Sequence, residues 1–537
     1  MKADPAECQR ALAKTIDPYV QIVEGDTKCA LTGIRLADIW RYFRHTWNTA
    51  YQSTPGRKLF FLIRDRAVAC HPIIGIGALG SSIVQLNCRD KWIGWTPSEF
   101  IRHLRATPSA STARWLLRSV DELLDDILSS DLIKEGALRR RDLAKPSGEA
   151  IDRLTQLARQ ERERHHLFPA RNRHKAGAGA ADWAGLSQTS LFRAKRALAL
   201  AELLAARRSL QQAGLTRPTK ENLVHALEDR QAVAAIGTIL RRMKAASVGV
   251  RMMDITVCGA IAPYNALLGG KLVGLLAASP AVSQAYERRY RSTPSIIASS
   301  LSGRPIIRKS HLVLLGTTSL YDATTSQYNR LRMPATAVGG PEGFTLEYIP
   351  LGKTVGYGSF HFSQGTMDAF ETLLARRQKG RQVNSIFGEG VNPKLRKVRG
   401  ALDAVGMPSD LLLQHGSPRL VFGVPLATNF REILLGMERR PKPIIPQTET
   451  ATQGIIDFWR TRWLARRILH EGTIERVAQH STVYPIRHGA RVILPAPSDD
   501  TGPLFGPSTP GTDRVSENAA LPTWFDDMPG PAATLGG

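Results

Sequence analysis

One run of the chain constrains its fold more than any other. DITVCGAIAPYNALLGGKLVGLLAASPAV, Asp254 to Val282, is the least charged stretch of a 537-residue protein whose formal net charge is +25. RMMDITVCGAI suits a buried strand, Pro263 and Asn265 suit a loop, and KLVGLLAAS suits a helix that starts after Gly269 and Gly270. A strand, a glycine turn and a helix in direct succession require a sheet with helices packed on it. Glycines at such a turn let backbone N–H groups approach a ligand, and the helix end offers roughly half a positive charge to an anion. Leu267, Leu268, Gly269, Gly270, Lys271 and Leu272 are therefore candidate ligand-binding residues, with a pyrophosphate as the group that fits. The alternative is that the two glycines serve only a tight turn and close packing of helix on sheet. The spacing is not that of a Walker A loop, because Leu272 follows Lys271 where a hydroxyl residue is needed for Mg²⁺, and there is no GxGxxG.

Around this run the hydrophobic period changes several times. Residues 1–105 carry strand-like runs such as KLFFLIRD and CHPIIGIGALGSSIVQL, the first part of an α/β core. From about 110, Trp115, Leu116, Val120, Leu123, Leu124, Ile127 and Leu128 recur at helical spacing. LSQTSLFRAKRALALAELLAARRSLQQAG follows, with Thr189 or Ser190 to cap its start and Gly214 to end it. The interval 106–247 thus reads as a helical insertion. Strand patterning returns in 248–375, the second part of the core with the glycine turn. Residues 376–492 form a basic accessory region, and the Pro-, Gly-, Ser- and Asp-rich tail 493–537 is expected to be disordered.

Charge points to an anionic partner. Lys and Arg number 72 against 47 Asp and Glu, and from Gly136 to Val250 there are 22 basic residues against 10 acidic ones. Within the insertion Arg139, Arg140, Arg141, Arg171, Arg173, Lys175, Arg193, Lys195 and Arg196 are the candidates for contact with DNA or RNA phosphates, and WAGLSQTSLFRAKRAL has some character of a helix-turn-helix. Docking of a partner protein and a plain solvated surface are the competing readings. No segment has the ~18 uninterrupted apolar residues of a membrane span. The five cysteines form no metal-ligand pair, and no His falls in a motif such as HExxH, so no metal is expected and a cytoplasmic location is. In RDKWIGW, Asp90 is a candidate general base and the tryptophans wall a pocket; otherwise Arg89 and Asp90 are an ion pair beside core tryptophans.

Two resemblances sharpen these expectations. APYNALLGGKLVGLL is similar to the signature of GCN5-related N-acetyltransferases, in which a strand ends near a proline and a Gly-rich turn opens the helix that holds the acyl-CoA pyrophosphate. The resemblance implies acetyl-CoA or another acyl-CoA as cofactor. It makes Tyr328 and Tyr348, in TSQYNRL and EYIPLGKTVGYG, candidates to protonate a departing thiolate; as core aromatics they have no such role. The longer strings RDKWIGW, LGTTSLYDATTSQYNRL, LGKTVGYGSFHFS and VNSIFGEGVNPKLRKVRGALDAVG, with the 254–280 run, resemble the DruA family, also called DUF4338. That family is associated with the Druantia anti-phage defence systems of bacteria, which implies other defence-system proteins as partners. The expected fold class is α+β, a mixed sheet resembling an acyl-CoA N-acyltransferase fold, interrupted by the basic helical insertion and followed by the accessory region.

Overall fold

The computed structural model describes residues 4–47, 56–167, 182–319, 327–356, 358–359, 362–377, 393–414, 416 and 418–480. Arg171, Arg173, Lys175 and the tail 493–537 lie outside the described residues.

Seven strands make one sheet in the order β1-β2-β3-β4-β5-β9-β8. They are β1 (Pro18–Val23), β2 (Lys58–Asp65), β3 (Ile73–Ser81), β4 (Met252–Ala260), β5 (Leu314–Thr318), β8 (Ile349–Lys353) and β9 (Leu420–Pro425). A two-stranded ribbon joins β6 (Arg332–Pro334) to β7 (Thr345–Glu347). Every neighbouring pair in the large sheet is antiparallel except β4 and β5, which run parallel. That pair is short: Met252, Met253 and Asp254 face Leu314, Leu315 and Gly316, and the ladder stops there although both strands continue. The fold is α+β with a mixed sheet, as the alternating patterns predict. The sheet draws three strands from before the insertion, and β9, between β5 and the edge strand β8, comes from the stretch read as accessory.

Helices pack against both faces. On one, the helix Lys271–Ala277 buries Leu272, Val273, Leu275 and Leu276 against β3 and β4 and meets the helix Glu449–Trp459, whose Trp459 is fully buried. This is the apolar half of the 254–282 run, and its lack of charge follows from burial on all sides. On the other face, the helices Ala110–Asp125, Gly148–Leu167, Ser190–Gln212 and Arg230–Val248 share a core with Met252, Val313, Leu314, Phe430 and Leu434. The long helix Ser190–Gln212 starts after Thr189 and stops before Gly214, whose φ of 78° suits glycine; the Thr189 hydroxyl does not cap the helix but donates back to the Leu186 carbonyl (2.8 Å). The preceding helix, Trp183–Gln188, is joined to it through Thr189 alone, which leaves no room for the turn of a helix-turn-helix. Among the described residues no helix is long and apolar enough to cross a membrane, and no group of three or more His, Cys, Asp or Glu gathers to hold a metal.

Candidate functional site

The glycine turn lies where the sequence places it. Leu267 and Leu268 end a short helix, Asn265–Leu268, and both are buried. Gly269 turns the chain with φ +55°, a conformation that favours glycine, and Gly270 precedes the helix Lys271–Ala277. Both glycines are also covered by side chains from distant elements. The Arg467 guanidinium lies over Gly269, where an added Cβ would come within 2.8 Å of it, and its Nη1 points to the carbonyls of Ala266 and Leu267 at 3.4 Å each. Gln327 sits directly on Gly270, so any side chain there would displace it.

Gln327 and Tyr328 occupy the space where β4 and β5 part. Gln327 Nε2 donates to the Cys258 carbonyl on β4 (3.3 Å), and Thr317 Oγ1 on β5 donates to the Ile255 carbonyl (3.2 Å), so side chains replace the missing ladder. Tyr328 is buried against Cys258, Thr317 and Gln327, and its ring stacks on Tyr348 with centroids 5.0 Å apart and planes 8° from parallel. The structure therefore brings together the two candidate tyrosines and the glycine turn. Tyr348 Oη donates to the Gly274 carbonyl (2.7 Å) inside the core. Burial, then the neighbouring Cys258 thiol, pushes both phenols above their ordinary range. Burial likewise pushes the Cys258 thiol up to about 12, against a smaller opposing effect of its hydrogen bond with Tyr328. Iodoacetamide at pH 8 is expected to label the exposed Cys8 and Cys70 and to leave Cys258 unmodified in the folded protein, which peptide mass spectrometry reads directly.

Around the turn several positive charges gather. Burial lowers the Lys271 ammonium, and the guanidiniums of Arg467 and Arg330 lower it further. Arg467 is in turn lowered by burial and by Arg476. These four cations come from three separated parts of the chain, and among the described residues no carboxylate forms an ion pair with any of them. Like charges brought together without a counter-charge are unfavourable unless an anion joins them.

The other predicted residues divide differently. Asp90 is buried and clamped between Arg89 (2.7 Å) and Lys244 of the helix Arg230–Val248 (2.5 Å), while Leu86 N–H donates to it. Trp95 is core, and Trp92 packs on Phe430 with centroids 4.8 Å apart. Of the two readings of Asp90, the structure places it in the ion pair with Arg89, extended by Lys244.

In the insertion, Arg193 is held by Glu135 (2.7 Å) and Glu161 (3.2 Å). Arg196 has no exposed side-chain surface and grips Asp131 with both terminal nitrogens (2.8 and 2.7 Å). These ion pairs commit Arg193 and Arg196 to contacts inside the insertion, which leaves them less able to present a basic face. The physical reason is that carboxylates from sequence-distant helices meet these arginines. Lys195 lies over the Phe192 ring at 5.2 Å. Arg139, Arg140 and Arg141 are exposed.

One functional candidate escaped the sequence reading. Asp254 is the last β4 residue paired to β5; Ser82 Oγ donates to it (2.8 Å), as does the Ile83 N–H (3.3 Å). Burial raises its carboxyl, against the opposing pull of Arg89. The signal was a lone carboxylate inside an apolar strand, masked by the glycines that follow it.

Comparison with known proteins fits this arrangement. A family model described as "Druantia protein DruA" matches residues 3–112 and 238–436, more than half of the chain. The two matched blocks contain every strand of the sheet, and the gap between them falls on the helical insertion. A curated relative, "Druantia protein DruA" of Escherichia coli (strain UMEA 4076-1), is 32% identical over 219 residues, which is 41% of this chain and 49% of the relative. The alignment thus spans about half the length of that relative. No solved structure matches. With its whole sheet, its glycine turn and both stacked tyrosines inside the matched blocks, the chain belongs to the DruA family.

Proposed function

We propose that this protein is a component of a bacterial anti-phage defence system that works in the cytoplasm by holding the phosphate backbone of DNA or RNA on the cationic face around Gly269–Gly270. The observation that carries this reading is the gathering of Lys271, Arg330, Arg467 and Arg476 without a carboxylate partner among the described residues. Phosphates spaced along a nucleic acid suit several cations at once, and contacts of this kind position a protein without reading bases. Other proteins of the defence system are the expected co-partners.

The sheet takes the part of a scaffold in this reading. Its single parallel pair, opening after Asp254 and followed by a glycine turn, supports the likeness to an acyl-CoA N-acyltransferase fold. An acyl-CoA, however, needs the space that Gln327 and Tyr328 fill, and a phenol that donates a proton to a thiolate needs access that Tyr328 and Tyr348 lack. Two titrations separate the readings. Fluorescence anisotropy with a labelled duplex and a labelled single-stranded RNA at ~50 mM salt is expected to show binding. Calorimetry with acetyl-CoA at millimolar concentration is expected to show no heat. Heat with acetyl-CoA and no retention of nucleic acid would reverse the order of the two readings.

A further inference from the structure

β4 is the central strand of seven, a position that packing normally covers on both faces, yet Thr256 on it is exposed. Thr256 is the extra residue of a bulge: Ile255 faces Leu79 and Val257 faces Ala78, with Thr256 between them. Two residues before it lies Asp254, partly exposed, and on the neighbouring strand lies the partly exposed Thr318. Among the described residues, the middle of the sheet thus presents a polar strip to solvent.

The Asp254 carboxylate is prepared within that strip. Ser82 Oγ and Ile83 N–H fix its two oxygens, and both donors are neutral. Each oxygen retains a free lone pair. Gly316 lies beside it, and a Cβ there would collide with Asp254 Oδ1, so the neighbouring strand leaves the carboxylate its room. Among the described residues Arg89 is the charged group whose field reaches Asp254, and Arg89 is itself paired with Asp90, which also meets Lys244. Arg89 gives its N–H groups to Asp90 and to the carbonyls of Ile83 and Val84, and Lys244 pairs with Asp90. Among the described residues no cation forms an ion pair with Asp254. A carboxylate held in place, partly withdrawn from water and without an ion-pair partner among the described residues gains most from a ligand that brings a positive charge and N–H donors.

We propose that the strip floored by Asp254, Thr256 and Thr318 is a binding site for a cationic nitrogen group, an ammonium or a guanidinium, with Asp254 as the carboxylate that pairs with it. The site is separate in its residues from the cationic face around Gly269–Gly270, so either proposal stands or falls without the other. Because burial favours the protonated acid, a cation that pairs with the carboxylate displaces a proton. Affinity therefore rises with pH through the raised Asp254 range and levels off above it.

The test is calorimetric titration of the full chain with agmatine, which carries both groups, at several pH values and in two buffers of different ionisation enthalpy. Wild type is expected to bind with proton release at the lower pH values. Asp254→Asn, checked for folding by near-ultraviolet circular dichroism, is expected to weaken binding by about tenfold or more and to abolish proton release. Thr256→Trp, which fills the strip from an exposed position and spares the carboxylate, is expected to block binding. No heat with wild type at ~10 mM agmatine, above the millimolar range of a weak ligand, overturns the proposal. So does equal affinity in wild type and Asp254→Asn, or in wild type and Thr256→Trp.

Discussion

Replacing Arg196 by alanine is expected to destabilise the protein by about 3 kcal/mol or more, the cost of leaving one member of a buried ion pair alone. Arg196 has no exposed side-chain surface, and its guanidinium satisfies both Asp131 oxygens and the Leu128 carbonyl (2.7 Å). Arg193 stands 3.6 Å from Asp131 and recovers part of the loss. The same pair sets a pH dependence. Burial on its own raises the Asp131 carboxyl, but hydrogen bonds and charge from Arg196 outweigh it and hold the group at about 2. A depressed carboxyl contributes stability that is complete above the unfolded value near ~3.9 and disappears as pH falls towards 2. Urea unfolding of wild type and Asp131→Asn is expected to show a gap at pH 7 that narrows between pH ~4 and ~2. A constant gap, or an Arg196→Ala protein as stable as wild type, contradicts this account of the insertion.

The second large effect concerns nucleic acid. The double charge reversal Lys271→Glu with Arg467→Glu is expected to lower duplex affinity roughly 50- to 100-fold at ~0.1 M salt, since each lost phosphate contact removes nearly one decade there. Arg193→Ala is expected to leave affinity unchanged, because its guanidinium is already committed to Glu135 and Glu161. A nucleic acid held by the insertion reverses that ranking.

Much of the architecture was legible in local pattern. The change from strand period to helical period marks the insertion, and Gly214 follows the end of its long helix, while Thr189 precedes the start without capping it. The 254–282 run is strand, turn and helix in the order its residues dictate. What local pattern does not carry is the pairing of distant residues. Arg193 and Arg196 look like a basic face until Asp131, Glu135 and Glu161 arrive from two other helices. Asp90 looks like a free carboxylate until Lys244, 154 residues away, meets it. The glycine turn looks open until Gln327 and Arg467 close over it. Arg467 and Arg476 illustrate the converse: both lie beyond the matched blocks, in the stretch read as a basic accessory region, and the fold carries Arg467 onto the turn that the sequence singles out, with Arg476 near it.

The measurement that bears most directly on the phosphate-holding reading is the salt dependence of duplex binding for wild type and for the variant with Lys271, Arg330, Arg467 and Arg476 all changed to alanine. If the four cations reach phosphates, the plot of log K against log salt is expected to be shallower in the variant by about 3.6 units, with unfolding midpoints showing that both proteins are folded. The same slope in both proteins, or no retention of wild type at ~50 mM salt, contradicts the proposal that this face holds nucleic acid.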